Sequence, residues 1–483
     1  MSRMYPSARL YPNALLTAAD VIESLTGIRP LQATQVITEA VVDVRNASPG
    51  SLFIATRGQE TGQIIAQAFE QGAVLALMQI DPLPETRTFN ILPVEAVTSE
   101  LSNRDLPLCL RVDDNLTALH QIASFWRKRL PDVTAIAITG SVGKTTTKDL
   151  VVEVLEQRYR TLKNAGNARS EIDIPLTLTG LTGGHHRVVL EVNIPGKTAF
   201  FGEMVTPRIG IVTDVGTPYI DETGSRAELA SRMTELVRIL PAGGHAILNY
   251  DDPWVRGMAS QTPADVLFYG LSPQADVWAD EVEGLGMEGI RFQLHYGRET
   301  LHLKVPMLGR HSVHTALRAA AVGIVEGFSW QEIAHGLHFS NTQLRLVAVR
   351  SDHGALLLDD TYDASPESTL AALNLLHEIR GRRMAVLGGS PDLGPYHFQG
   401  HQLVGMRAAQ VVDLLITVGE LGREIADAAR MAWLPTSAII ELSDTDEVVQ
   451  YLNNHLTAQD VVLIKGPQSL HLEYITAALE ADT

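Results

Sequence analysis

Cysteine is almost missing from this sequence. A single thiol, Cys109, cannot form a disulfide within the chain, and a cysteine-rich metal centre is excluded. Its setting, Leu108-Cys109-Leu110, predicts a buried structural residue, with a nucleophile as the lesser alternative. Long hydrophobic runs are also lacking. Nothing approaches the roughly 18 apolar residues that span a bilayer, and Met1-Ser2-Arg3-Met4-Tyr5-Pro6 opens no apolar signal core, so a cytoplasmic location is expected. Positive charge is scarce: 38 Lys and Arg stand against 56 Asp and Glu, and the formal net charge is −18. That balance argues against general binding to nucleic acid or anionic membranes, while leaving room for a nucleotide held locally. Internal repeats and low-complexity linkers are absent too. Two to four domains with short joints are therefore expected, an arrangement suited to domains that close on one site.

The most informative stretch present is Gly140-Ser141-Val142-Gly143-Lys144-Thr145-Thr146-Thr147-Lys148. It follows Ala135-Ile136-Ala137-Ile138-Thr139, read as a buried strand, and precedes Asp149-Leu150-Val151-Val152-Glu153-Val154-Leu155, read as a helix. Strand, glycine turn and helix opening with Lys-Thr-Thr is a phosphate-cradling order. The glycines let backbone N–H groups approach phosphate, and the helix N-terminus adds partial positive charge. Lys144 can reach terminal phosphates, and a threonine hydroxyl can ligate Mg²⁺. Ile138 stands where the usual P-loop has its first glycine, so the turn reads G-x-x-G-K-T. The competing reading is a chance glycine-rich turn.

The rest of the chain alternates strand and helix. Strands are predicted at 51–56, 73–78, 187–192, 209–214 and 244–249, with antiparallel alternation over 286–305. Helices are predicted at 62–72, 115–130 and 312–327, and the helix at 115–130 reads as the bridge into a second domain. From about 343 a third unit carries strands at 355–359, 384–388, 414–418 and 461–465. Each ends near Gly, Asp or Lys, where open α/β sheets place ligands.

These residues resemble the Mur ligases, nearly end to end. Asp43-Val44-Arg45 with Pro49-Gly50-Ser51-Leu52-Phe53-Ile54-Ala55 is similar to the family's opening motif. Ile138 to Lys148 is similar to its phosphate loop, above all in the branch that adds D-Ala-D-Ala to UDP-MurNAc-tripeptide. Leu358-Asp359-Asp360-Thr361-Tyr362-Asp363-Ala364-Ser365-Pro366 and Lys465-Gly466 are similar to motifs of the last domain. The resemblance implies an α/β protein of three domains. Residues 1–113 would form a small α/β domain for a UDP-sugar-type substrate and 114–342 a central P-loop parallel-sheet ATPase domain. Residues 343–483 would form a Rossmann-like domain for the amino acid or peptide.

The implied reaction is ATP-dependent amide formation. ATP phosphorylates a substrate carboxylate, an amine attacks the acyl phosphate, and phosphate leaves. ATP and Mg²⁺ are the implied cofactors. A nucleotide-sugar peptide and an amino acid or dipeptide are the implied partners of a monomer. By resemblance Gly140, Ser141, Val142, Gly143, Lys144, Thr145 and Thr146 hold the nucleotide, with Arg345 and Asp360 approaching it from the last domain. Thr145 and Glu191 would ligate the metal; Lys144, Glu191 and His311 (of Gly309-Arg310-His311) would be catalytic. Arg45, Tyr362 and Lys465 would touch substrate. Plainer readings compete: Glu191 as a surface carboxylate, His311 as a helix-start histidine bonded to backbone, Arg345 and Asp360 as surface charges, and Lys465 as a solvated lysine.

The chain also departs from the family pattern. Met233 stands at the position of a lysine that becomes carbamylated to bridge two Mg²⁺ ions, and Tyr219 replaces a second-metal histidine. Asp214, Asp221 and Glu222 are nearby oxygens that could compensate. Ser312 and Thr315 replace two asparagines, the first of which contacts adenine. Arg169, Ser170, Val44, Gln63, Asp363, Ser365 and Gln468 mark further departures. Three readings stay open: an active ligase with one firmly held Mg²⁺, a nucleotide-binding paralogue with weak or no ligase activity, and another P-loop phosphotransfer role.

Overall fold

Three β-sheets, interleaved with helices, carry the chain. The structure is a computed structural model that describes residues 14–56, 62–80, 89–165, 170–192, 198–216, 224–338, 347–361, 364–391 and 393–480. The first sheet contains β1 (Ala40–Val41), β2 (Leu52–Ile54), β3 (Leu75–Met78), β4 (Asn90–Pro93) and β5 (Leu108–Arg111). Its order is β1-β2-β3-β5-β4 with every pair parallel. Phe53, Ile65, Ala68, Met78 and Cys109 form an apolar cluster there, so the lone cysteine is a core residue.

The second sheet contains β6 (Thr134–Thr139), β7 (Thr161–Lys163), β8 (Arg187–Glu191), β9 (Ile209–Val212), β10 (His245–Asn249), β11 (Asp265–Gly270), β12 (Val277–Gly284), β13 (Ile290–Tyr296) and β14 (Glu299–Val305). The order is β14-β13-β12-β11-β10-β9-β6-β8-β7. β6, β7 and β8 pair in parallel, as do β10, β11 and β12, but β12-β13-β14 is an antiparallel meander. This sheet is thus a mixed one, with antiparallel pairing over the segment 286–305 where the alternation predicts it. The physical reason is visible in burial: β6 is apolar and buried along its middle, as parallel strands covered on both faces must be. β12 and β13 alternate buried and accessible residues, as strands with one solvated face do.

By compactness the chain divides into two units. One comprises Met1–Ile138, Arg158–Gly210 and Ile239–Gly244; the other comprises Thr139–Gln157, Ile211–Arg238 and His245–Thr483. In the first unit, Thr17 and Asp20 close a capping box on the helix Ala18–Thr26, and Gly27 ends it at φ 74°. Asp20 and Glu23 each pair with both Arg29 and Arg129, which ties that helix to the end of the helix Asn115–Lys128.

In the second unit the third sheet contains β15 (Val347–Arg350), β16 (Leu356–Asp359), β17 (Arg382–Gly388), β18 (Leu414–Val418), β19 (Ile439–Leu442) and β20 (Asp460–Lys465). Its order is β15-β16-β20-β17-β18-β19, antiparallel only at β15. Apolar clusters cover both faces, through Leu373, Leu387 and Leu415 on one and Met384, Ile416 and Val462 on the other. Because Asp359 pairs with Ile464 and Leu387 with Lys465, the carboxyl ends of β16, β20 and β17 lie side by side. The helix Val313–Val325 also lies in this unit. Its small residues allow close packing: a Cβ on Gly323 would sit 2.7 Å from Ile333 Cγ1 and 3.3 Å from Val154 Cγ1.

Candidate active site

The phosphate loop leaves β6 at Gly140 and enters the helix Lys144–Glu156 through Gly143, which caps it at φ 76°. Gly140 sits at φ 138°, and a Cβ there would fall 1.9 Å from Thr213 Oγ1, so no other residue fits. The segment after β9 builds the first half of the loop. Ser141 N–H donates to the Asp214 carbonyl at 3.0 Å and Val142 N–H to Asp214 Oδ1 at 2.8 Å. Gly216 N–H donates to Ser141 Oγ at 2.8 Å. Asn249 Nδ2 and the Tyr269 hydroxyl both donate to the Thr213 carbonyl, at 2.9 Å each, and fix the anchor from behind. The backbone of Ser141 and Val142 is therefore committed to loop scaffolding. The first turn of the helix then presents its N-terminal end, the part of a helix that suits an anion. Lys144 is buried and its ammonium donates to the carbonyls of Gly140 at 2.9 Å and Ser141 at 3.0 Å.

Asp214, expected as a possible substitute metal ligand, is instead the loop's anchor: its Oδ1 also accepts from Thr213 Oγ1 at 2.8 Å. Asp221, Glu222 and Tyr219 lie outside the described residues, as do Arg345, Tyr362, Asp363 and Arg169. Met233 is buried beside Leu229, Leu236 and Val237 in its helix, so its thioether is a packing group and fits no hard dication.

In the first unit, Glu191 ends β8 and is 3% exposed, which removes the surface-carboxylate alternative. Buried Asn164 clasps it: Glu191 N–H donates to Asn164 Oδ1 at 2.9 Å and Asn164 Nδ2 to the Glu191 carbonyl at 3.2 Å. Sequence reasoning passed over Asn164, whose one signal is an amide side chain directly after a short strand. Arg45 lies in a 3₁₀ turn, exposed, and forks onto Asp43, whose pKa falls to about 2 under those hydrogen bonds.

In the second unit, His311 sits in a 3₁₀ turn behind Gly309, whose φ of 79° and missing side chain make room for the ring; a Cβ would lie 2.6 Å from His311 Cε1. No hydrogen bond to the ring exists among the described residues, so the expected backbone-bonded alternative is not what the structure has. The residue is exposed on one side, with protein atoms packed around the other. Desolvation first, and then the charges of His314, Lys465 and Arg318, push its pKa down to about 4. Lys465 is 1% exposed, not solvated. Its ammonium donates to Asp360 Oδ2 at 2.7 Å and to the Asp360 carbonyl at 3.3 Å, a pairing of the ends of β20 and β16.

The two replaced asparagine positions turn inward. Ser312 Oγ donates to the Leu308 carbonyl at 2.6 Å, and Thr315 Oγ1 accepts from Arg318 at 3.0 Å. Arg318 lies against Gly143 of the phosphate loop and was missed by sequence reasoning. Its signal was a single cation among Ala316, Leu317, Ala319, Ala320 and Ala321.

Residues 138–323 match the Mur ligase middle domain, and residues 344–467 match the domain described as Mur ligase, glutamate ligase domain. A UDP-N-acetylmuramoyl-tripeptide–D-alanyl-D-alanine ligase of Synechocystis sp. is 30% identical, with 92% of each chain covered. This chain is a member of the Mur ligase family. The Bacillus subtilis ligase of the same name is 28% identical, covering 96% of this chain and 98% of its own. Among solved structures, a UDP-N-acetylmuramoylalanyl-D-glutamyl-2,6-diaminopimelate–D-alanyl-D-alanyl ligase from Acinetobacter baumannii is 25% identical with a TM-score of 0.77. It covers 97% of this chain and 99% of its own. As a Mur ligase the protein has an α/β fold of three sheets, and none of its described helices is long and apolar enough to cross a membrane.

Proposed function

We propose that this Mur ligase joins D-alanyl-D-alanine to a UDP-N-acetylmuramoyl-tripeptide at the expense of ATP. The observation that carries the reading is the likeness, over nearly the whole chain, to ligases so named. The loop at Gly140–Thr146 agrees with it: an ammonium and a helix N-terminus converge where a phosphate chain would sit. The tripeptide carboxylate takes the γ-phosphoryl group of ATP, the dipeptide amine attacks the resulting acyl phosphate, and phosphate departs. No net oxidation occurs, and the amine's proton must go to a base or to water. Lys144 neutralises charge on the transferring phosphoryl group. His311, neutral near pH 7, can accept a proton or a hydrogen bond there without adding charge.

By the family resemblance Thr145 and Glu191 are each assigned to Mg²⁺, which their oxygen donors suit and which would neutralise phosphate charge when bound. Arg45, Tyr362 and Lys465 are assigned to substrate, and Arg345 and Asp360 to the nucleotide. The domain limits 1–113, 114–342 and 343–483, a monomeric state and a cytoplasmic site of action belong to the same proposal. Met233 favours a second reading, a nucleotide-binding paralogue with slow or absent ligation, because its buried thioether removes a family metal site. The test is phosphate release from ATP with the muramyl-tripeptide and the dipeptide present together, with product mass measured. Release only with both substrates, and a product heavier by one D-Ala-D-Ala residue pair, supports the ligase. Nucleotide binding without turnover across a panel of acceptors supports the paralogue.

A further inference from the structure

In the helix Val313–Val325, Arg318 is the one Lys or Arg, set among Ala316, Leu317, Ala319, Ala320 and Ala321, and the residue is only 5% exposed. Its Nε donates to the His314 carbonyl and one terminal nitrogen to Thr315 Oγ1, each at 3.0 Å. Neither partner is charged. No carboxylate among the described residues forms an ion pair with it, and the guanidinium carbon lies 5.7 Å from the centre of the Tyr269 ring. A cation kept out of water without a counter-charge is costly to a folded chain. Its position suggests the use. A side-chain atom on Gly143 would lie 3.2 Å and 3.4 Å from the two terminal nitrogens, so the guanidinium rests directly on the glycine that opens the phosphate-binding helix.

We propose that Arg318 is a second phosphate-binding cation of this site, placed on the Gly143 side of the loop to contact the phosphate chain of the bound nucleotide. Thr315 acts through it as a positioning residue, since its hydroxyl holds one arm of the guanidinium. A planar guanidinium can offer a further N–H to a phosphate oxygen without leaving those bonds. Charge is the missing element of its surroundings, and a di- or triphosphate brings it. An adenosine without phosphate does not. This assignment rests on the ATP-dependent reading above and refines it.

The experiment compares wild-type protein with Arg318→Met and Arg318→Lys. Affinities for ATP, ADP and adenosine are measured by calorimetry, and KM for ATP is measured separately from KM for the sugar-peptide substrate. Methionine keeps the apolar stem and removes the charge. We expect Arg318→Met to weaken ATP and ADP at least about tenfold, to leave adenosine within twofold, and to raise KM for ATP alone. Arg318→Lys should recover part of the loss. Without nucleotide, Arg318→Met should melt no lower than wild type, because an uncompensated buried charge is gone, while its ATP-induced rise in Tm shrinks. Should the variant bind ATP as wild type does, or lose adenosine and ATP equally, or melt lower with an unchanged ATP-induced rise, the assignment is overturned. Failure of the broader reading is distinct: wild-type protein itself would then bind no ATP or release no acceptor-dependent phosphate.

Discussion

His311 shows how a single residue can be tuned by what surrounds it. A histidine whose folded pKa is about 4, against an ordinary 6.5, binds its proton more readily when unfolded. Its contribution therefore favours the folded state above pH 6.5, is lost as pH falls from 6.5 toward 4, and is constant below that. Thermal melting across this range should fall more gently for His311→Gln than for the wild type, and an equal acid-side slope would contradict the assigned shift. Lys465 and Asp360 illustrate the opposite case, in which two charges 105 residues apart are held together in near-complete burial of the lysine. His401 belongs with them. Its Nε2 accepts from Ser390 N–H at 3.0 Å, so its Nδ1 carries the proton donated to Glu424 at 3.0 Å. That tautomer makes the His397–His401–Glu424 group a hydrogen-bonded cluster rather than a ready metal site.

At the level of elements, the phosphate loop depends on β9 as much as on its own glycines. The turn after β9 accepts from the backbone N–H groups of Ser141 and Val142 and donates to Ser141 Oγ. Gly140→Ala adds strain at φ 138° and forces a carbon against Thr213, so it should cost at least about 2 kcal/mol of folding stability. It should also abolish ADP binding. Urea unfolding and ADP calorimetry read the two effects separately, and a variant with wild-type ADP affinity would contradict this account of the loop. The loop's existence was legible because glycines, Lys144 and an apolar strand are local in sequence. Its anchoring by Asp214 was not, because Val142 and Asp214 are 72 positions apart and only strand pairing brings them together. Arg318 was hidden for a related reason: a lone arginine in a helix usually lies in solvent, and burial alone distinguishes this one.

For the whole molecule, the retained and lost groups predict a metal count. On the proposed assignment Thr145 and Glu191 are the oxygen donors to Mg²⁺, whereas buried Met233 cannot help to hold a second ion. With a non-hydrolysable ATP analogue present, Mn²⁺ titration followed by EPR should find one tight site per chain, weakened about tenfold or more by Glu191→Gln. Two tight sites would mean that other oxygens have replaced the family's second-metal residues. The acidic net charge does not oppose nucleotide binding, because the cations that matter, Lys144 and Arg318, are buried beside the loop where bulk screening is weak.

The sequence by itself determined the family, the alternation of strand and helix, and the phosphate loop. All three are written in short-range patterns: apolar runs, glycine spacing, and motifs in a fixed order. The tertiary structure alone decided the clasp of Asn164 on Glu191, the Asp214 anchor, the burial of Lys465 and the place of Arg318. Each of these depends on residues far apart in the chain becoming neighbours, and on burial giving an ordinary charge or amide an energetic weight it lacks in water.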